Sequence, residues 1–396
     1  MQPIDFVESW YYGTFYYIFF LLLSWGSVLY YIGSGEQKLL RSNGGNAIQG
    51  VALLLTIIII FYLGLRPNSA VFVDSNQYRY GYLVLGLYDD VVPIDLRTEW
   101  FWHNLNHFLK EIGLNMYEFT FVIALFYFGG MFITALLLMR RNLWMAMLFF
   151  FTAFSTYTYC VNGVRNGFAC SVELVAVALL AIDRKKLPVA LVLMFLALGI
   201  HRSTMLPSAA LVVSAFLIKD PKVAIRFWLL SIAISLIAGS YVEQFFSSLG
   251  FDDRMSKYSE AGQNEDSMSE FAHSGFRWDF LFYSIWPVIM TWYLTMYRKF
   301  KDRTFNIIAN TYIFCNAFWI MVIRASFSNR FAYLSWFLYP LVIAYPLLRM
   351  NLWKDQDRKT AIIFFCYSGF IFFMFFIYYF GTMSGFRGFN LYWWRQ

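Results

Sequence analysis

Apolar residues along this chain come in long blocks, broken by short polar stretches. A bilayer core of about 30 Å is crossed by roughly 20 apolar residues in a helix. On that measure the chain holds about twelve spans, centred near residues 21, 57, 128, 151, 173, 194, 211, 232, 288, 314, 340 and 371. The sixth and seventh are short, and only the polar break GIHRSTMLP separates them. The expected fold is an all-α polytopic membrane protein with about 12 transmembrane helices, residues 1–396 forming a single transmembrane domain. The chain carries neither an internal repeat of the inverted-repeat transporter kind nor a low-complexity linker that would divide it.

Composition narrows the class. Of 396 residues, 60% are hydrophobic, 22% aromatic and only 14% charged, and the mean hydropathy is +0.53. Soluble domains carry about 25% charged and 45–50% apolar residues, so a disordered chain, a disulfide scaffold and a cytosolic enzyme are excluded. Cys160, Cys170, Cys315 and Cys366 lie in or beside apolar blocks with no metal-binding spacing, and are expected to be buried as small hydrophobes. The opening MQPIDFVESW holds Asp5 and Glu8 and no basic residue, unlike the basic start of a signal peptide. The first apolar block is therefore expected to stay as a span.

The net charge of +7 is distributed unevenly. One alternating set of loops collects Lys38 and Arg41, Arg140 and Arg141, Arg184 to Lys186, Lys219 and Lys222, Arg298 to Arg303, and Arg349 to Lys359, with few acids among them. The positive-inside rule makes that side cytoplasmic and puts both termini outside. The charge is thus a topology signal, and a nucleic-acid partner has no support. Two outer loops are long, residues 66–117 and 241–278. The chemistry is expected on that outer face.

Arginines recur on the disfavoured outer side: Arg66 and Arg79 after the second span, Arg165 in the turn CVNGVRNG, Arg202 beside His201, and Arg324 and Arg330 around RASFSNR. Each one alone is explained by snorkelling to the headgroups. As a group they oppose the orientation rule, and arginine inside hydrocarbon costs about 2.5–3.5 kcal/mol on insertion scales, so an anionic partner is expected. The guanidinium fork matches phosphate oxygens, which points to a lipid-linked phosphate or diphosphate at the outer leaflet. Asp74 and His201 are alternative bases for a sugar hydroxyl, although a solvated aspartate and a histidine satisfying freed backbone carbonyls are the plainer readings. Glu173 is the one acid deep in a span, functional or paired structurally.

The stretch RTEWFWHNLNHFLKEIG sets Phe101, Leu105, Phe108, Leu109 and Ile112 on one helical face and Glu99, His103, His107 and Glu111 on the other. This is the pattern of an interfacial helix; two histidines four apart would also suit a metal, but no metal is expected. The second long loop is acidic and serine-rich, too poor in aliphatic residues for a core of its own, hence a solvated connector or a mobile cover.

Four stretches, in order, resemble the EpsG/Wzy-like polysaccharide polymerases: FVDSNQYRYGY with Asp74 and Tyr78, NGVRNGFA with Arg165 and Ala169, IHRSTMLP with His201 and Ser203, and NRFAYLSWFLYPL with Arg330 and Tyr333. Val73 stands where the family usually has a glycine before its aspartate. The resemblance implies a GT-C-like glycosyltransferase that acts on undecaprenyl-diphosphate-linked oligosaccharides at the outer face of a bacterial inner membrane. It also implies a chain-length regulator as a partner. On that reading Arg165, Arg324 and Arg330, supported by Arg66 and Arg202, hold the diphosphate. Asp74 or His201 takes the acceptor proton, and Tyr78, Tyr82, Trp100 and Trp102 stack on sugar rings, with no metal and no cofactor. Fixed cations beside the leaving group would lower the barrier. The rivals are a lipid-linked oligosaccharide flippase, an O-antigen ligase-type transferase and a multi-span acyltransferase built on His201 and Ser203. The flippase would line a path with polar groups at several depths, and the acyltransferase would leave the arginines unexplained.

Overall fold

A computed structural model describes residues 1–34, 46–86, 91–248, 276–324 and 329–374 of the chain. Among them every regular element is helical, as a chain without water to satisfy its backbone requires. The protein is a polytopic helical membrane protein. Among the described residues, five helices are long and apolar enough to cross a membrane, and two further apolar helices, 49–64 and 202–217, are shorter.

The chain divides into two compact units. The first comprises residues 1–94, 100–171 and 344–396. It contains α1 (Tyr12–Ser34), α2 (Asn46–Gly64), α3 (Val73–Val84), α4 (Trp100–Glu111), α5 (Met116–Met139), α6 (Leu143–Phe151), α7 (Phe154–Val161) and the start of α8 (Val164–Ile182). α5 begins with a capping box, Asn115 accepting from the Glu118 amide while Glu118 accepts from the Asn115 amide. α2 and α5 pack closely at Gly64, where a Cβ would stand 2.8 Å from the Phe121 Cα. α6 and α7 are separate because the chain turns at Thr152 and Ala153, so the apolar block centred near 151 is broken rather than continuous.

The second unit comprises residues 95–99 and 172–343. It holds the rest of α8, then α9 (Leu187–Ile200), α10 (Met205–Val212), α11 (Pro221–Ser248), α12 (Trp278–Trp292), α13 (Arg303–Met321), α14 (Asn329–Trp336) and the start of α15 (Tyr339–Arg349); α16 (Gln356–Met374) returns to the first unit. Its apolar interior is pinned by polar pairs. Trp228 donates to Asn316 at 2.7 Å, Asn316 to Ser335 at 3.0 Å, Trp336 to the Ser284 hydroxyl and Tyr312 to the Ser284 carbonyl, both at 2.8 Å. Where lipid is as apolar as leucine, hydrophobicity does not select one helix face for another, and such hydrogen bonds and close contacts fix the packing.

Three sequence expectations change here. The loop expected from residue 241 starts later, since α11 continues to Ser248; its centre lies outside the described residues. Within the stretch 66–117, α4 is the helix expected there, and α3 is a second one that was not expected. Of the four cysteines, Cys160, Cys170 and Cys315 are buried but Cys366 is exposed on α16; a lipid-facing position is apolar enough for cysteine without burial in protein.

Candidate active site

In the first unit, two of the sequence motifs meet. The FVDSNQYRYGY segment forms α3, with Asp74 in its first turn, where a carboxylate suits the helix dipole. Asp74 Oδ2 accepts from the Gly163 amide at 3.1 Å, and the Asp74 amide donates to Asn162 Oδ1 at 3.3 Å. Gly163 has φ +83°, a left-handed conformation that favours glycine, so the NG of NGVRNGFA is a turn requirement. The turn opens α8 and delivers Arg165 to Tyr78. Arg165 Nε donates to the Tyr78 hydroxyl at 3.1 Å, and its guanidinium carbon lies 5.5 Å from the centre of that ring. Further along α8, a Cβ on Gly167 would collide with the Tyr159 carbonyl, and one on Gly130 of α5 with Ser171. Ala169 is buried.

In the second unit, α9 ends at His201, which leaves helical geometry with φ −151° and ψ 115° before a short 3-10 turn leads into α10. His201 Nδ1 lies 2.6 Å from Glu99 Oε1, and both side chains are 17% exposed. A carboxylate on Nδ1 fixes the ring and leaves Nε2 as the accepting nitrogen, the arrangement that orients a histidine base. Thr204 closes the turn by donating to the His201 carbonyl at 2.8 Å, and the buried Ser203 hydroxyl has no hydrogen-bond partner. Glu173 is fully buried, accepting from Ser208 of α10 at 3.1 Å.

Arg324 follows α13 and Arg330 stands in the first turn of α14, both partly exposed. The Arg324 side chain lies along α11 where that helix kinks at Ala238 (φ −130°, ψ 21°). A Cβ added to Gly239 would stand 2.9 Å from Arg324 Cδ and 3.0 Å from Nε. Arg324 Nε is buried without a partner.

The profile of the EpsG family matches residues 51–392, so all four motifs fall inside it. The chain belongs to the EpsG family. Membership supports a polysaccharide-polymerase type of function, a glycosyltransferase-like enzyme of the membrane. No curated protein and no solved structure matches the chain.

Within this EpsG-family chain the remaining expected residues fall elsewhere. Arg66 is 1% exposed and spends its fork on the protein, donating to the Leu63 carbonyl at 2.5 Å and to Ser75 Oγ. Tyr82 is 2% exposed, stacked on Phe119 and donating to the Leu114 carbonyl at 2.8 Å. Trp100 and Trp102 are buried, at 8% and 5%. Buried rings cannot stack on a sugar, so of the four expected glycan-binding aromatics only Tyr78 keeps an accessible edge. Burial of α4 through Trp100, Trp102, Asn106 and Leu109 leaves His103 exposed. Sequence reasoning missed Glu99 as the partner of His201 and Gly239 as the seat of Arg324; the helical stripe containing Glu99 was visible, but nothing marked its contact 102 positions along the chain.

Proposed function

We propose that this EpsG-family chain polymerises polysaccharide repeat units, moving a growing glycan from undecaprenyl diphosphate onto a lipid-linked acceptor at the outer face of a bacterial inner membrane. The observation that carries the proposal is the His201–Glu99 pair, 2.6 Å apart at the break between α9 and α10. α9 has 14 residues, hence about 21 Å of length, against a hydrocarbon core of about 30 Å. A helix rising from the basic turn Arg184–Lys186 thus ends short of the far surface. The break would be a polar step within lipid depth, where the head of a lipid-linked substrate resides. Irregular backbone is tolerated at that depth where it lines a cavity or is buried in protein.

The topology behind this reading is GT-C-like, with twelve crossings: α6 with α7 and α14 with α15 each count as one, while α3 and α4 lie outside. Both termini are then outside. Cysteines introduced at 76 and 262 are expected to label from outside and those at 185 and 300 from inside; position 262 lies outside the described residues.

In the reaction, the acceptor hydroxyl oxygen forms a bond to the anomeric carbon while the bond from that carbon to the diphosphate oxygen breaks. The leaving diphosphate keeps the electron pair. His201 Nε2 takes the hydroxyl proton, with Glu99 stabilising the imidazolium that results. Guanidinium groups of the second unit offset charge developing on the diphosphate: Arg324 and Arg330, supported by Arg202; Arg165, on its Tyr78 rest in the first unit, is a separate candidate for the same role. Asp74 acts as a positioning residue, since its carboxylate holds the Gly163 turn that carries Arg165. Arg66 is left out of the clamp because its fork is committed to Leu63 and Ser75.

The deciding experiment incubates purified protein with undecaprenyl-diphosphate-linked repeat units and resolves the products as a glycan ladder. A ladder that Arg165→Ala and His201→Gln both abolish, in variants that insert and melt normally, supports the proposal. Transport of the lipid across proteoliposomes without a ladder overturns it in favour of a flippase. Modification of a lipid A core acceptor in place of a ladder identifies a ligase, and a ladder that depends on a chain-length regulator identifies that partner.

A further inference from the structure

Two arginines of the first unit are buried without an acid. Arg66 and Arg79 are each 1% exposed. Beyond the two bonds of Arg66 already described, Arg79 donates to the carbonyls of Pro67 and Arg66, both at 2.8 Å, and to Thr120 Oγ1 at 3.0 Å. Their other neighbours are rings, Phe72 at 5.9 Å from the Arg66 guanidinium and Tyr117 at 5.2 Å from that of Arg79. The Nε of each is buried and has no hydrogen-bond partner. Among the described residues no carboxylate forms an ion pair with either. Breaking a buried pair by removing its acid is among the costliest changes a protein can suffer, yet here the acid is missing by construction. Carbonyls and hydroxyls satisfy some of the N–H groups but offset none of the net charge.

Beside Arg66 lies a small cavity, lined also by Thr120, Ala124, Tyr127, Cys160 and Val164. It leaves about 10 Å³ for the centre of a water-sized particle, near the lower limit for holding one. The lining offers a guanidinium and no carboxylate, a donor set that favours an anion over a cation. A phosphate or sulfate is too large for the space. Burial, reinforced by the charge of Arg66, lowers the Arg79 guanidinium to about 9, and burial lowers Arg66 as well; both directions mark positive charge short of compensation.

We propose that this cavity binds one small monovalent anion, a halide of chloride type, as a resident counter-ion to Arg66, the cation that lines it and that adjoins Arg79. The site would be structural in consequence. Ser75, which accepts from Arg66, donates to the Val161 carbonyl at 2.5 Å, and Val161 immediately precedes the Asn162–Gly163 turn held by Asp74. The anion thus secures the footing of Arg165 without touching substrate.

The test uses the full chain in nanodiscs, in gluconate buffer at constant ionic strength, titrated with radiolabelled chloride. Saturable binding to a single class of site is expected, displaced by bromide and not by sulfate, with melting raised by roughly 2–4 °C at saturating chloride. Cys160→Leu fills the cavity without altering either arginine, and is expected to abolish saturable binding and the chloride dependence of melting together. Wild-type protein that melts equally in gluconate and chloride with no saturable binding overturns the proposal, the cavity then holding water. Saturable binding that survives in Cys160→Leu also overturns it, by placing the anion elsewhere. None of these readouts involves glycan transfer, so the result stands apart from the fate of the polymerase reading.

Discussion

Gly239→Ala separates a functional Arg324 from a structural one. The added Cβ would stand 2.9 Å from Arg324 Cδ and 3.0 Å from its Nε, whereas carbon–carbon contacts are optimal at about 3.5–4.0 Å. Something must yield by roughly 0.5–1 Å on that comparison, and the arginine arm is the softest element present, because the clash involves the side chain and no backbone atom of a neighbouring helix. The helix itself stands to gain about 0.5–1 kcal/mol from alanine over glycine, tempered by the kink at Ala238. Melting in detergent is therefore expected to stay within about 1–2 °C of wild type, while the guanidinium is displaced by about 1 Å. A misplacement of that size costs about 100-fold where a group stabilises a transition state. The assay is the initial rate of ladder formation at saturating donor, alongside the melting curve. A wild-type rate with wild-type melting removes Arg324 from the diphosphate clamp. A lost rate accompanied by lost melting shows that the segment yielded in place of the arm. Gly130→Ala is the contrasting case, since its Cβ would strike the backbone of Ser171 and is expected to reduce melting and membrane yield together.

Three further outcomes follow from the same geometry. Glu99→Gln keeps the size of the partner of His201 but removes its charge, and is expected to slow transfer about 10–100-fold with little change in acceptor KM; an unchanged rate would release His201 from the role of base. Tyr78→Phe keeps the ring beside Arg165 and deletes only the hydroxyl that accepts from its Nε; a hydrogen bond to a charged group is worth about 1.5–3 kcal/mol, so a roughly 10–100-fold loss of kcat/KM is expected, and retention of full activity would reduce the contact to packing. Burial lowers the Arg79 guanidinium to about 9, well below the ordinary arginine range, so above that value the unfolded chain is the greater proton binder. Stability from this group therefore rises with pH above about 9, by at most about 1.4 kcal/mol per pH unit, and the rise is expected to vanish in Arg79→Met. Melting series from about pH 8 to 10.5 on both proteins in chloride-free gluconate, compared as slopes, check it; parallel slopes would contradict a buried Arg79 without an acid.

The helical blocks and the break at His201 were legible in sequence because lipid imposes a simple demand, an apolar run of sufficient length, and a polar interruption of such a run is conspicuous. The faces of those helices were less legible. On α11, Leu229 and Leu230 are 56% and 53% exposed while Ser231 and Ser235 are 0% exposed: where apolar side chains face lipid, hydrophobic periodicity ceases to mark the interior. The same physics exposes Cys366 and buries Arg66. The meeting of Asp74 with the turn that carries Arg165 spans 89 positions and was readable only through the family motifs. Glu99 and His201, 102 positions apart, belong to different motifs, and composition carries no signal for such a pair.

The arginines of this chain are better sorted by their surroundings than by their side of the membrane. Arg277 has its own acid, held to Asp279 through two nitrogens at 2.9 and 2.6 Å; its charge is compensated within the protein and asks for nothing further. Arg66 and Arg79 have no acid and almost no exposure, and the space beside Arg66 admits one water-sized particle. The compensating charge proposed there is small and resident, because the space is too small for a diphosphate. Arg324 differs from both. It is partly exposed, no ion pair joins it to a carboxylate among the described residues, and its arm rests on a glycine rather than beside a small cavity. Its compensating charge can be large and can depart, as a leaving group must. Exposure thus separates the two proposals: the buried guanidinium groups match an ion that stays, and the partly exposed one matches the leaving diphosphate of the proposed polymerase reaction.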